Sequence, residues 1–207
     1  MPAPEDILIG LAEIANSRRE FAITWHVYFA ILAAALAVGM RPAKSISGVL
    51  LALPLFSVGF LAWRTGNPFN GTVFILAGAI LAVIAVRFPR TPIEIGSRWM
   101  VIAGALMFIF GWTYPHFLDT RSYVPYVYAA PTGLIPCPTL SIIIGSTLIV
   151  DGLGSGAWSL VLGATGVFYG VFGAFVLGVT LDLVLLICAA LLIGIVLVPG
   201  LWARRPG

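Results

Sequence analysis

Four side chains in this sequence have the chemistry to hold a soft metal ion: His26, His116, Cys137 and Cys188, the full complement of both residue types. Imidazole nitrogen and thiolate sulfur suit zinc, copper or mercury, and a pair of histidines suits a haem iron. None of the spacings CxxC, HxxxH or CxxCH occurs, so only the fold can gather the four. Two of them lie in one stretch, Gly111 to Ser141 (GWTYPHFLDTRSYVPYVYAAPTGLIPCPTLS), which also carries five of the fourteen prolines and four of the six tyrosines. Tyr114 and Thr139 in that stretch, with Asp182 further on, add oxygen donors for a small solute.

Pro136 and Pro138 straddle Cys137. Each lacks a backbone donor and crowds the preceding turn, so the pair does not belong in a helix interior. The sequence predicts a helix from near Pro138 to Val150, about 20 Å long against a bilayer core of about 30 Å. The chain ahead of it is expected to run non-helically, which lipid tolerates only where protein or a water-filled cavity covers the backbone. A helix amino terminus there sets unpaired N–H groups beside Cys137 and favours a thiolate, a nucleophile or a soft ligand. The plainer alternative has two prolines capping a short helix around a small buried cysteine. His116 likewise reads either as a ligand or as an interfacial aromatic beside Trp112, Tyr114 and Phe117.

The elements that must position these residues are membrane helices. Hydrophobic residues make up 60% of the chain and charged ones 9%, against about 25% charged in a soluble domain. Runs such as LLICAALLIGIVLV are continuous, without the alternation of a transmembrane barrel. The expected fold is all-α, a polytopic transmembrane bundle forming one domain over residues 21–207. About seven spans are countable: Phe21 to Val38, Ile46 to Trp63, Gly71 to Val86, Trp99 to Phe117, Ala130 to Val150, Trp158 to Leu177 and Leu183 to Trp202. Residues 1–20 lack the basic-then-apolar order of a signal peptide. They read as a short amphipathic helix on the membrane surface, with Ile7, Leu8, Leu11, Ile14 and Ala15 on one face. Val124 to Ala130 reads as a loop.

Arg41, Lys44, Arg87, Arg90, Arg98, Arg204 and Arg205 flank one set of span ends, against Arg18, Arg19, Arg64 and Arg121 on the other. The positive-inside rule then puts the amino terminus outside and the carboxyl terminus in the cytoplasm. His26, His116, Cys137 and Cys188 share the outer half, where the two cysteines also have the option of a disulfide. The net charge of +3 belongs to these flanks, and no nucleic acid is expected as a partner.

Gly166, Gly170, Ala174 and Gly178 recur every fourth residue in the sixth run. Such a ridge lets another backbone approach, either inside the chain or from a second copy or a membrane-complex partner. Thr180 and Asp182 suit the cap of the last helix. No mid-span Lys supports a retinal Schiff base, and no Walker, GxSxG, HExxH or Rossmann motif occurs, so no catalytic signature is present. The segments GWTYPHF and GLIPCPTLSIIIG resemble those of a family of bacterial multi-pass membrane proteins of unknown function. Its members pair a Tyr-Pro-His-Phe segment at a helix end with a Pro-Cys-Pro-Thr segment opening the next helix, and carry a late Asp that Asp182 matches. The resemblance is specific over residues 111–141 and looser elsewhere. It implies a fold in the bacterial inner membrane and no activity. Three functions stay open: binding or transport of a small solute or soft metal ion at an outward-facing site, a membrane-embedded thiol or redox enzyme, and an accessory subunit without a site.

Overall fold

The computed structural model describes residues 3–198; Trp202, Arg204 and Arg205 at the end of the last predicted span lie outside them. Among the described residues the chain is helical, with one isolated antiparallel bridge between Ala43 and Pro92 and no strand. The helices are α1 (Pro4–Ser17), α2 (Arg19–Ala37), α3 (Lys44–Arg64), α4 (Pro68–Val86), α5 (Arg98–Thr113), α6 (Val124–Ala129), α7 (Pro136–Ile149), α8 (Gly156–Val171) and α9 (Asp182–Leu197). Helix α8 continues into a π-helical turn, Phe172–Val176. Among the described residues four helices are long and apolar enough to cross a membrane: α2, α3, α4 and α8 with its π turn. The other three apolar runs fold as shorter helices of 16, 14 and 16 residues, α5, α7 and α9.

Three antiparallel pairs dominate the packing: α3 with α4, α5 with α7, and α8 with α9. Helix α7 sits at the centre, with twelve of its fourteen residues buried. Glycine makes its contact with α5 close. A Cβ at Gly104 would lie 2.6 Å from the Gly145 oxygen, and one at Gly111 2.6 Å from the Ile142 nitrogen, so the two backbones touch. Such small-residue contacts gain van der Waals energy that bulky side chains would forfeit. The α8 ridge meets α9 in the same way: Gly163 faces Ile193, Gly166 faces Ala189 and Gly170 faces Leu186. Gly166 and Gly170 are thus covered inside the chain, whereas Gly178 stands open at positive φ in the turn before α9.

Two local expectations need correction. Helix α7 starts at Pro136 rather than near Pro138. Both prolines fit because they fall in the first turn, where backbone N–H groups have no intrahelical acceptor to lose. Residues 124–129 form the short helix α6 and not a loop. Pro125 suits its first turn, and the Ser122 hydroxyl accepts from the Val124 N–H at 3.2 Å.

Helix α1 folds back onto the bundle, burying Leu11, Ile14 and Ala15 of the predicted apolar face. Asn16 fixes its end. The side-chain amide donates to the Phe117 carbonyl and accepts from the Asp119 N–H, both at 2.8 Å.

Candidate functional site

Helix α5 stops, and α7 and α9 start, at the same end of the bundle, and their three terminal side chains meet there. Tyr114 caps the end of α5, Cys137 is the second residue of α7 and Asp182 the first of α9. Asp182 is only 2% exposed. Its Oδ1 accepts from the Tyr114 hydroxyl at 2.6 Å and its Oδ2 from the Cys137 thiol at 3.0 Å. Two helix amino termini therefore point their partial positive charge at one acid and one thiol.

The local sequence explains why these ends stay put. Ahead of α7, residues 129–136 are all buried although 130–135 are not helical, so the predicted irregular lead-in is present and is covered by protein. Thr132 donates to the Gly111 carbonyl at 2.7 Å. Thr139, a sequence candidate for ligand binding, spends its hydroxyl on the backbone: it accepts from the Gly133 N–H at 2.8 Å and donates to the Ile135 carbonyl at 2.7 Å. It clips the lead-in to the first turn of α7. Gly133 has φ +77, and Trp25 lies against it where a Cβ would be, so that turn requires glycine.

Gly173, inside the π turn of α8, opens the space that Asp182 fills: a Cβ there would overlap Oδ2. A π turn is often found where a helix has been adjusted around a site. Below the carboxylate a cavity of about 20 Å³, roughly one water in size, is lined by Cys137, Asp182, Asn70, Tyr169, Phe117, and Ile7 and Leu11 of α1. The Tyr169 hydroxyl donates to Asn70 Oδ1 at 3.0 Å. A second cavity of about 160 Å³ shares Ile7, Leu11, Asn70 and Pro136 and reaches Asp6, Thr65 and Asn67 at its far side. Helix α1 roofs both.

No family model, curated protein or solved structure matches this chain.

A carboxylate in a site this dry normally pairs with a cation. Among the described residues, however, no Lys or Arg forms an ion pair with Asp182. Its partners are a phenol and a thiol, both weak acids. A thiolate and a carboxylate 3.0 Å apart would repel strongly at low dielectric, so at least one proton resides in the Cys137–Asp182 pair. The thiolate favoured by the helix terminus alone gives way to a thiol that donates. The arrangement can hold a proton, or exchange it for a cation that accepts sulfur and oxygen donors.

The remaining sequence candidates stand apart from this cluster. Among the described residues no group of three His, Cys, Asp or Glu side chains gathers around one point. His26 is 4% exposed, with Nδ1 at 2.8 Å from the Ala22 carbonyl and Nε2 at 2.9 Å from the Trp112 carbonyl. It joins α2 to the last turn of α5. His116 lies beyond the end of α5, half-buried, with its ring edge-on to Phe117 at 4.3 Å. Cys188 is on α9, about two turns from Asp182, and both cysteines are free thiols rather than a disulfide. Asn70, Tyr169 and Gly173 escaped the sequence reading. A phenol in the middle of ATGVFYGVFG and an Asn opening an apolar run were the available signals, since either needs a partner once buried.

Proposed function

We propose that this chain is a membrane protein of seven spans that binds a soft metal ion in exchange for protons at Cys137 and Asp182, and moves it from the outer side. Helices α5, α7 and α9 complete the seven, their shortfall being made up by the non-helical segments that line the site. The observation that carries the reading is a buried carboxylate whose two oxygens meet a thiol and a phenol, with no basic side chain among the described residues that line its cavity. An ionisable group of this kind within membrane helices marks an ion pathway or proton relay. Broken helices that aim their termini at one point are the usual architecture of such sites.

Cys137 Sγ and Asp182 supply two protein donors, and Tyr114 a third oxygen. That open set suits an ion in passage better than a structural metal, which takes four. The excess of Lys and Arg at the opposite span ends supports an outward-facing site with α1 as a roof on the outer surface, and the resemblance over residues 111–141 supports a bacterial inner membrane. The cavity that ends at Asp6, Thr65 and Asn67 supplies the approach to it.

The test is a cadmium titration of detergent-purified protein, read from the ultraviolet sulfur-to-cadmium absorption. One equivalent should bind. Cys137→Ser should abolish the band, Asp182→Asn should weaken binding at least about tenfold, and Cys188→Ser should leave it intact. A band that survives Cys137→Ser and vanishes in Cys188→Ser would sink the assignment.

A further inference from the structure

At the opposite end of the bundle from Asp182 lies an open cleft of about 420 Å³ between α2, α3, α5 and α7. It arises because α2 leans away. The buried residues of α2 are Ala22, His26 and Phe29, none of them beyond Phe29, while Leu32, Ala33, Ala35, Leu36 and Ala37 only face the cleft. The walls are aliphatic, with Phe108 on α5. The two hydroxyls among the lining residues are already used: Ser47 donates to the Ala43 carbonyl at 3.1 Å and Ser146 to the Ile142 carbonyl at 2.8 Å. The interior therefore asks for no hydrogen bonds. From Val101 to Ile109 along α5 it extends about 12 Å.

Arg41 stands at the rim, exposed, just past the end of α2. Its Nη1 donates to the Leu36 and Met40 carbonyls at 3.0 and 2.9 Å, which anchors the guanidinium there. Nη2 and Nε make no hydrogen bond among the described residues, which leaves them for the two oxygens of a phosphate. Lys44 lies near the same end but is engaged with Glu94 at 3.4 Å.

We infer that this cleft binds one acyl chain of an anionic phospholipid from the surrounding leaflet, with Arg41 holding the phosphate. A lined apolar slot with a fixed cation at its mouth complements an amphiphile with a charged head and an uncharged tail, and phosphatidylglycerol has that chemistry. A second copy of the chain fits it less well, since Glu94, an acid at this end, is already paired with Lys44. The inference uses the membrane setting but is independent of the Cys137–Asp182 site.

The test is native mass spectrometry of delipidated, detergent-purified protein titrated with dioleoyl phosphatidylglycerol or dioleoyl phosphatidylcholine. Wild type should retain one lipid and prefer the anionic one about fivefold, the worth of one arginine at a lipid surface. Arg41→Ala should bring the two affinities together. Ala105→Trp, which fills the cleft from α5, should lose both lipids, and Ala33→Phe on the facing wall repeats that test should the first variant misfold. Unchanged phosphatidylglycerol binding in both filled variants overturns the inference, as does a dimer that excludes lipid in the wild type.

Discussion

Gly173 lies flat against the carboxylate of Asp182, so that a Cβ at position 173 would overlap Oδ2. The π turn of α8 and the start of α9 are fitted to each other by the absence of one carbon. Gly173→Ala must push the carboxylate away from Cys137 and Tyr114 or reopen the helix pair, at a cost of about 1 to 3 kcal/mol for an overpacked site. Thermal unfolding in detergent should register that loss, and the cadmium band should weaken with it. Gly194→Ala is the control: its Cβ meets nothing within 4 Å. It sits within α9, where alanine gains up to about 1 kcal/mol over glycine.

Tyr114→Phe removes the donor to Asp182 Oδ1 and leaves a buried carboxyl oxygen without its partner. The cost should be about 1 to 3 kcal/mol of stability. If Tyr114 orients the carboxylate rather than merely packing beside Phe110 and Phe117, cadmium affinity should also fall, by about 10- to 100-fold. Stability lost with unchanged affinity would assign the phenol to architecture alone.

Much of this arrangement could be read from the chain and some could not, for physical reasons. Composition and continuous apolar runs point to membrane helices because lipid admits few other folds. The proline pair around Cys137 marked a helix start with an irregular lead-in, although it took the first-turn geometry to show that both prolines belong to α7. Asp182, read as a cap of the last helix, is instead its first residue: Leu181 holds the N-cap position, no side chain caps the helix, and the carboxylate turns to Tyr114 and Cys137. Long-range partners are what spacing cannot supply: Tyr114 and Asp182 are 68 residues apart, and Tyr169 and Asn70 are 99 apart. The place of His26 is out of reach of spacing for the same reason, since only the fold shows that both its nitrogens face carbonyl oxygens.

Exchange against protons has a definite pH signature. The Cys137–Asp182 pair holds at least one proton, and sulfur binds a metal as thiolate, so binding must release what the pair holds. Affinity for cadmium should therefore rise with pH and fall as the solution is acidified, and an unbuffered sample should acidify on titration. In Cys137→Ser both effects should disappear together. A metal affinity independent of pH would show that the ion binds without displacing these protons and would remove the exchange step.

Helix α1 makes the site's closure testable. Ile7 and Leu11 line both cavities beneath it, and Asn16 ties its end to Phe117 and Asp119. Phe117 holds φ at +76, an unfavourable conformation for an aromatic residue, and its ring also lines the cavity beside Asp182. Loss of the Asn16 clamp should let that segment relax and loosen the roof. Asn16→Ala is expected to speed maleimide labelling of Cys137 several-fold in a Cys188→Ser background, because access limits the reaction of a buried thiol. Cadmium should slow the labelling in both proteins by occupying the sulfur. Equal labelling rates with and without the clamp would mean that reagents reach Cys137 by another route, and α1 would then be packing rather than a lid.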